Sequence, residues 1–352
     1  MRILLANPRG FCAGVRMAID VVDQVLDILP GETIYVFHEI VHNSHVVSRF
    51  QDRGVVFVED LDEVPRGAVV VFSAHGVSPA LREHARSRNL DAIDATCPLV
   101  TKVHAEAIRY ARDGYQILLI GHARHQEVVG TRGEAPQAIQ IVESPDDIPS
   151  LDIIDPDRLV YLTQTTLSTD DAAIIIDALR DAFPNIKAPP SEDICYATTN
   201  RQSAVRTLAR GCDLVLVVGS TNSSNSVRLT EIARAAGARA RLIDDATQLR
   251  DDWFDGAETV LVTAGASAPE DLVAGVCKAL VTRFGATIEL RELVAENIEF
   301  NLPVALRRKM TERGIDPDSR RIHVAAPKIT ADLYGTVPVT VSAGSPGPPS
   351  GE

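Results

Sequence analysis

Short runs of valine, isoleucine and leucine recur along the chain and alternate with longer stretches in which apolar residues return every three or four positions. The short runs are typical of strands buried on both faces of a parallel sheet, and the longer stretches are typical of amphipathic helices. We therefore predict an α/β fold with mostly parallel strands. The clearest predicted strands are residues 34–37, 69–72, 116–120, 159–162, 214–218 and 260–263.

Three cysteines stand just before predicted helices. The helical period is plainest after Cys12, where it continues to Leu29 and is ended by Pro30 and Gly31. Similar stretches follow Cys97 at residues 98–112 and Cys195 at residues 199–210. Each of these cysteines is therefore expected near the N-terminus of a helix.

The predicted elements repeat three times in one order. Each unit begins with a cysteine and continues with a helix, a strand and a polar loop, and then with a second helical stretch, strand and polar loop. The first loop follows its cysteine by about 30 residues and the second by about 63 to 72, a regularity expected of a structural repeat. The loops are residues 38–43, 121–127 and 220–225, then 73–76, 163–166 and 265–267. We predict three similar domains, at residues 1–96, 97–193 and 194–285, and a C-terminal segment, 286–352, that is disordered from residue 342.

The polar loops follow the predicted strands, and ligand-binding groups collect at the carboxyl edge of parallel sheets. If the three domains face one another, their cysteines and loops converge on one centre. A cysteine that opens a helix also has its thiolate favoured by the helix dipole and the free N–H groups. Cys12, Cys97 and Cys195 are therefore candidate metal ligands.

Spacing alone leaves three interpretations of these cysteines open. Three thiolates on a four-iron cluster would leave one iron free for substrate. Three thiolates and a water would suit zinc. The third interpretation is scattered core thiols, which we do predict for Cys212 and Cys277 because these two fall outside the repeat.

The loops carry imidazole, hydroxyl and amide groups, which suit a phosphate or diphosphate. With the N–H groups at helix N-termini they can hold such an anion, and histidine adds charge when it is protonated. One such loop taken alone is more often a capped turn, but six in matching positions favour a binding site. The candidate anion ligands are His42, His75, His125, Thr165, Ser223, Ser224, Asn225 and Ser267.

Glu127 is the acidic residue among the matching loop positions. A carboxyl group enclosed near a metal centre has a raised pKa and can donate protons. The alternative is an exposed surface glutamate. We predict that Glu127 is a proton donor.

The composition is that of a folded globular protein and disfavours nucleic-acid-binding and membrane proteins. The 352 residues are 45% hydrophobic and 24% charged, which is typical of folded domains, and the net charge of −13 disfavours nucleic-acid binding. No apolar run reaches the ~18 residues of a membrane span, and the apolar residues 3–6 are too few for a signal peptide. We expect a cytoplasmic protein with no membrane partner and with reduced thiols, in keeping with five cysteines and no CxxC pair.

His38, Glu39 and His42 match the HExxH pattern of zinc metalloproteases. That pattern binds zinc only on a helix, where both histidines share one face. Here it follows a predicted strand, and the β-branched residues around it, including Val46 and Val47, favour extended structure. We therefore do not predict a protease.

Taken together, these motifs resemble those of the 4-hydroxy-3-methylbut-2-enyl diphosphate reductase family, also called the IspH/LytB family. The resemblance covers about residues 1–305 and rests on long segments. These are residues 8–15, 38–43, 73–76, 94–98, 121–127, 163–167, 193–202, 219–226 and 263–269.

The resemblance implies a pseudo-threefold trefoil of three α/β domains around a central 4Fe-4S cluster, held by Cys12, Cys97 and Cys195. It implies that the eight candidate anion ligands bind a diphosphate substrate and that Glu127, Thr165 and His125 are catalytic, with Glu127 donating protons. The implied reaction is reductive dehydroxylation of the allylic diphosphate to isopentenyl and dimethylallyl diphosphate. Electrons would come from reduced ferredoxin or flavodoxin.

Two other classes remain as alternatives. One is a non-redox dehydratase or synthase of the quinolinate synthase type, in which a cluster acts only as a Lewis acid. The other is a sensor protein. The chain also departs from the family at Gln126, where proline is usual, and this change is expected to loosen the loop that carries Glu127.

Overall fold

The structure, a computed structural model, describes residues 1–320, 322–323 and 339–343. Its strands are β1 (Arg2–Asn7), β2 (Ile34–Phe37), β3 (Val56–Val58), β4 (Val69–Phe72), β5 (Asp91–Asp94), β6 (Gln116–Ile120), β7 (Ile139–Val142), β8 (Leu159–Thr163), β9 (Leu214–Val218), β10 (Arg239–Ile243), β11 (Thr259–Ala264), β12 (Thr287–Glu292), β13 (Glu299–Phe300), β14 (Ile322–His323) and β15 (Val339–Ala343). Its α-helices are α1 (Ala13–Ile28), α2 (Ser44–Gln51), α3 (Pro79–Ser87), α4 (Pro98–Arg112), α5 (Gln126–Glu134), α6 (Thr169–Ala182), α7 (Tyr196–Leu208), α8 (Ser224–Ala235), α9 (Glu270–Phe284) and α10 (Val304–Glu312). Of the tail predicted to be disordered, Ser342 and Ala343 end β15, and the rest lies outside the described residues.

Three parallel sheets form the body of the fold. Their strand orders are β3-β2-β4-β5, β7-β6-β8 and β10-β9-β11-β1-β12-β15, and β13 and β14 form a small antiparallel ribbon. The prediction of an α/β fold with mostly parallel strands is confirmed. The first two sheets lie within predicted domains 1–96 and 97–193, whereas the third draws strands from both ends of the chain, and the domain boundaries stay a prediction.

The central strands are apolar throughout because helices cover both faces of each sheet. Every residue of β4, β8 and β9 is buried. All six predicted strands are present, and two of them are longer than expected, since β8 continues to Thr163 and β11 spans Thr259–Ala264. Those additions bring the strand ends up to the predicted polar loops.

The N-terminal run of apolar residues is a buried strand, which the sequence pattern did not predict. β1 lies between β11 and β12, with Ile3 opposite Val260 on one side and Ile288 on the other. Its partners are more than 250 residues away along the chain, so no local pattern reveals the pairing. The start of the chain is thereby built into the third sheet, next to Cys12.

The helices behind the three cysteines are all present. α4 has the predicted limits, α1 begins at Ala13, and α7 begins at Tyr196, three residues before its predicted start. The expectation of extended structure at Val46 and Val47 was wrong. Asn43 begins α2 there, because its side-chain oxygen accepts the N–H of Val46 at 3.1 Å.

The two remaining cysteines behave as predicted. Cys277 is fully buried on α9, and Cys212 is 8% exposed just before β9. Burial raises the pKa of the Cys212 thiol to about 11 and that of Cys277 to about 12, so both stay neutral thiols in the core. Among the described residues, no helix has the length and hydrophobicity that crossing a bilayer requires.

Candidate active site

One cavity, with a volume of about 100 Å³, lies where the three units meet. Every site residue predicted from the sequence lines it. The lining includes Cys12, Cys97, Cys195, His42, His75, His125, Glu127, Thr165, Ser223, Ser224, Asn225 and Ser267. The structure therefore brings together residues that are separated by up to 255 positions in the chain.

Each cysteine is the N-cap residue of a helix. Cys12 precedes α1, Cys97 precedes α4 and Cys195 precedes α7. The Cys12 sulfur accepts the N–H of Val15 at 3.5 Å, and the Cys195 sulfur lies 3.2 Å from the hydroxyl of Thr198. The positive ends of three helix dipoles therefore meet at the sulfurs, an arrangement that favours negative charge there.

The three cysteines are also tied into a ring by backbone hydrogen bonds. Each N–H donates to a carbonyl in the second polar loop of the preceding unit, at 3.0 to 3.1 Å. The pairs are Cys97 with Ala74, Cys195 with Thr165, and Cys12 with Ala266. Each sulfur is therefore positioned jointly by two neighbouring units, with the third unit closing on the first.

The three thiols oppose one another's ionisation. Burial raises the pKa of the Cys195 thiol to about 11, and negative charge on Cys12 raises it too. Burial, followed by negative charge on Cys12, likewise holds the pKa of Cys97 far above its usual value. A bound cation would remove this opposition, since metal ligation deprotonates cysteine.

The separation of the sulfurs distinguishes between kinds of metal centre. Ligands of one tetrahedral zinc ion lie about 3.8 Å apart, given Zn–S bonds of about 2.3 Å. Across the described part of the chain, three ligand atoms within 4.8 Å of one another occur at the exposed set Asp60, Asp62 and His84, and not at the cysteines. The three sulfurs therefore do not all lie within 4.8 Å of one another, a spacing that does not suit three thiolates on a single zinc ion.

Glu127 is a buried carboxyl group aimed at Thr165. One carboxylate oxygen accepts the Thr165 N–H at 2.6 Å, and the other accepts its hydroxyl at 2.9 Å. Burial raises the pKa of Glu127 to about 7, although both hydrogen bonds from Thr165 act against that rise. Near neutral pH this group can therefore both hold and release a proton.

Glu127 lies where its loop ends and α5 begins. His125 is the N-cap residue of α5, and its Nδ1 accepts the N–H of Glu127 at 3.2 Å. Gln126 is the first residue of this helix, a position that proline also favours. The backbone of Glu127 is thus held in the first turn of α5, and Gln126 occupies the first position of that helix.

Three imidazole rings face one another in the cavity. The His42 and His75 rings stack with centroids 4.0 Å apart, and His125 meets them edge-on at 5.7 and 6.1 Å. Burial and the charge of neighbouring histidines lower the pKa of His125 to about 4 and hold that of His75 well below its usual value. These two rings are therefore neutral at physiological pH.

The third unit supplies neutral hydrogen-bonding groups. The Ser267 hydroxyl donates to the His42 carbonyl at 2.8 Å, and Ser223 begins α8 by accepting the N–H of Ser226 at 3.4 Å. The amide of Asn225 is buried, and neither its oxygen nor its nitrogen has a partner. A buried amide without partners is costly, which is the property expected of a group that awaits a ligand.

A buried ion pair beside Cys12 was not predicted from the sequence. Arg201 on α7 donates to Glu296 at 3.0 Å and to the carbonyl of Gly10 at 2.8 Å. Burial raises the pKa of Cys12, and the Arg201 charge acts in the opposite direction. Arg201 stands in a segment that the sequence had singled out, but Glu296 lies in the C-terminal segment, where no motif indicated it.

The chain is similar to known proteins over most of its length. A family model described as LytB protein matches residues 3–281. A protein of Acidothermus cellulolyticus named 4-hydroxy-3-methylbut-2-enyl diphosphate reductase is 52% identical over 314 residues, which cover 89% of this chain and 92% of that protein. One with the same name from Alcanivorax borkumensis is 56% identical over 311 residues, covering 87% and 100%.

The similarity extends to a solved structure. It is titled as that of the E-1-hydroxy-2-methyl-but-2-enyl-4-diphosphate reductase from Plasmodium falciparum, and it matches with a TM-score of 0.87 and 40% identity. The match covers 89% of this chain and 99% of that one. The predicted α/β trefoil is thereby confirmed.

Proposed function

This chain belongs to the LytB protein family, and from that premise we propose how its central cavity reduces 4-hydroxy-3-methylbut-2-enyl diphosphate. The reaction is the last step of the non-mevalonate route to isoprenoid precursors. It takes up two electrons and two protons, releases the hydroxyl group as water, and forms isopentenyl or dimethylallyl diphosphate. The observation that supports this assignment most directly is the meeting of three cysteines, an anion-binding set and one buried acid in one cavity.

Cys12, Cys97 and Cys195 are proposed to hold a 4Fe-4S cluster. The proposal is supported by a sulfur spacing that does not suit a single zinc ion, by the helix N-termini behind the sulfurs and by the thiols' mutual opposition to ionisation. When bound, such a cluster supplies electrons and one iron that has no protein ligand. The protein's own part is to hold the three sulfurs in place through the ring of backbone hydrogen bonds.

The diphosphate is proposed to bind among the polar loops. The donors are imidazole, hydroxyl and amide groups, and the unpartnered amide of Asn225 gains the hydrogen bonds that it lacks. Entry of the anion also favours protonation of His75 and His125, which burial and neighbouring histidine charge otherwise disfavour. The proposed ligands are His42, His75, His125, Thr165, Ser223, Ser224, Asn225 and Ser267.

Glu127 is proposed to deliver protons to the substrate, with Thr165 and His125 as its partners. Thr165 holds both oxygens of the carboxyl group, so it fixes the direction in which the proton is offered. His125 fixes the backbone of Glu127 at the start of α5. Binding of the remote diphosphate then orients the substrate hydroxyl towards the reacting groups.

The electron donor is proposed to be a reduced ferredoxin or flavodoxin. A non-redox dehydratase or synthase was the alternative, and the relatives named as reductases do not favour it. The two classes differ in their need for a reductant: the reductase requires one, and a dehydratase turns over without any.

An anaerobic test separates these activities. The purified chain is expected to carry four irons and four sulfides per chain after reconstitution. It should convert the substrate to the two diphosphate products only when a reductant such as dithionite with a viologen mediator is present. Conversion without reductant, or a fully loaded protein that binds substrate but never reduces it, would contradict the proposed function.

Replacing Gly14 with alanine should disturb the metal centre. A Cβ at this position would lie 2.5 Å from the Cys97 sulfur, so that sulfur must move. We expect a lower iron content and a free energy of unfolding reduced by about 1–3 kcal/mol, measured by iron analysis and denaturant titration.

Gly275→Ala is the matched control, because nothing lies within 4 Å of its added Cβ on α9. It should keep the full iron content and gain about 0.5–1 kcal/mol of stability. A Gly14→Ala protein equal to wild type in both measurements would show that Cys97 is not constrained at this contact.

A further inference from the structure

The HExxH pattern of the sequence is not a zinc site, and its two histidines separate. His38 adopts a left-handed backbone with φ of 59°, which excludes a regular helix here. Its Nδ1 pairs with Glu59 at 2.5 Å on the exposed side of the loop. His42 faces the cavity instead. The glutamate of the pattern, Glu39, has no part in the proposed mechanism as described so far.

Glu39 does not line the cavity itself, but it contacts His42, which does. One of its carboxylate oxygens lies 3.2 Å from Nδ1 of His42 and accepts the side-chain N–H of Asn222 at 2.7 Å. The Glu39 side chain is one-third exposed, and His42 is more enclosed at 16%. One carboxylate therefore joins the first polar loop to the loop that carries Ser223 and Asn225 in the third unit.

The charges around His42 differ from those around the other two imidazoles. His42 is stacked on His75 and meets His125 edge-on, while Glu39 stands beside its Nδ1. The hydrogen bond with His42 lowers the pKa of the Glu39 carboxyl, so this group is an anion at physiological pH. Within the described part of the chain, His75 and His125 have no carboxylate in hydrogen-bond contact, and burial, followed by charge on His42, lowers the pKa of each.

This asymmetry decides which ring presents a donor to the cavity. A carboxylate at Nδ1 holds a proton on that nitrogen, and a phosphoryl oxygen at Nε2 would hold a second proton there, so a ring bound between the two anions donates from both nitrogens. An N–H on Nε2 is the group that a phosphoryl oxygen needs. The contact with Glu39 holds the His42 ring in one orientation before the anion arrives.

We propose that Glu39 is a positioning residue for the anionic end of the substrate: it holds His42 by Nδ1, keeps Nε2 as a donor to the diphosphate, and through Asn222 couples the first and third polar loops around it. This inference rests on the proposed function, because it takes the diphosphate to lie in this cavity. It goes further in naming the group that prepares the anion site.

The test compares Glu39→Gln with wild type as cluster-loaded enzymes at one fixed pH. The KM for the substrate and the inhibition constant of inorganic diphosphate should both rise about tenfold, the size expected for loss of one charge-assisted hydrogen bond. The kcat at saturation should change less than twofold, since Glu39 touches neither the cysteines nor Glu127. Cluster absorbance and thermal unfolding should match wild type.

Two further variants make the result specific. Glu59→Gln neutralises the other carboxylate–histidine pair of this loop, outside the cavity, and both constants should stay unchanged. Asn222→Ala leaves the Glu39 charge in place but removes its link to the third unit, and both constants should rise about threefold.

The proposal is overturned if Glu39→Gln leaves both constants unchanged, if it lowers kcat without affecting KM, or if Glu59→Gln has the same effect. Wild type that fails to convert the substrate would instead refute the proposed function. Binding of inorganic diphosphate, followed directly by calorimetry on the loaded protein, reports on the anion site without turnover. If Glu39→Gln binds it as tightly as wild type does, Glu39 has no part in holding the anion.

Discussion

Replacing Glu127 with glutamine should lower turnover by about 10²–10⁴-fold while leaving the cluster and substrate binding almost intact. Glutamine has nearly the same shape and can still accept one hydrogen bond from Thr165, but it cannot deliver a proton as an acid. Turnover is measured anaerobically with a chemical reductant, and substrate binding by the change that it causes in the absorbance of the cluster. The effect should be large because, among the described residues, no other carboxyl group lines the cavity and could replace Glu127 as the acid.

The pH dependence gives an independent check on this role. The pKa of Glu127 is raised to about 7, so its acid form is lost as pH rises through that value. Wild-type turnover should fall above pH 7, and the Glu127→Gln enzyme should lack this decline. Glu143→Gln serves as control, since Glu143 is exposed and lies outside the cavity, where it accepts the N–H of Ala123 and lies 4.0 Å from Nδ1 of His122. Near-normal turnover of Glu127→Gln would rule out its role as proton donor.

Replacing Cys97 with serine should reduce the iron content severalfold and turnover by about 100-fold or more. Serine offers a hard oxygen in place of a soft thiolate, and two remaining cysteines leave a second iron without a protein ligand. Iron and sulfide analysis with an electronic spectrum measures the loading, before any assay of activity.

The control for this change is Cys212→Ser. The Cys212 thiol is buried outside the cavity and donates to the carbonyl of Leu208, which a serine hydroxyl can also do. Its iron content should equal that of wild type. A full complement of iron and sulfide in Cys97→Ser would mean that Cys97 is not a ligand, and the assignment of the cluster to three cysteines would fail.

Much of the fold was predictable because its signals are local. Apolar residues at helical spacing mark α1 behind Cys12, α4 has its predicted limits, and the central strands are largely continuous apolar runs, whereas α7 begins three residues before its predicted start. β1 is also a continuous apolar run, yet it was not predicted. Its partners are β11 and β12, and contacts across so long a separation leave no pattern in the sequence.

The candidate site was predictable for a related reason. A repeated order of elements places equivalent loops at one edge of each sheet, so matching positions could be grouped without knowing their distances. What the sequence could not supply is geometry between units. The spacing of the three sulfurs, the pairing of Arg201 with Glu296 and the contact of Glu39 with Asn222 all depend on how separate units or segments pack together.

The loop at residues 38–43 shows how local signals can compete. The pattern of two histidines and a glutamate is a zinc motif only in helical geometry, and the structure confirms a non-helical loop. The β-branched residues that followed were nonetheless misleading, because the cap formed by Asn43 outweighs their preference for strands.

The place of β1 in the third sheet has a consequence for synthesis on the ribosome. This strand is translated more than 250 residues before the neighbours that enclose it, β11 and β12, which end at Ala264 and Glu292. Cys12 therefore cannot reach its final position beside the other two sulfurs until most of the polypeptide has been translated. If the three cysteines hold the proposed cluster, its insertion must accordingly follow the pairing of β1 with β11 and β12.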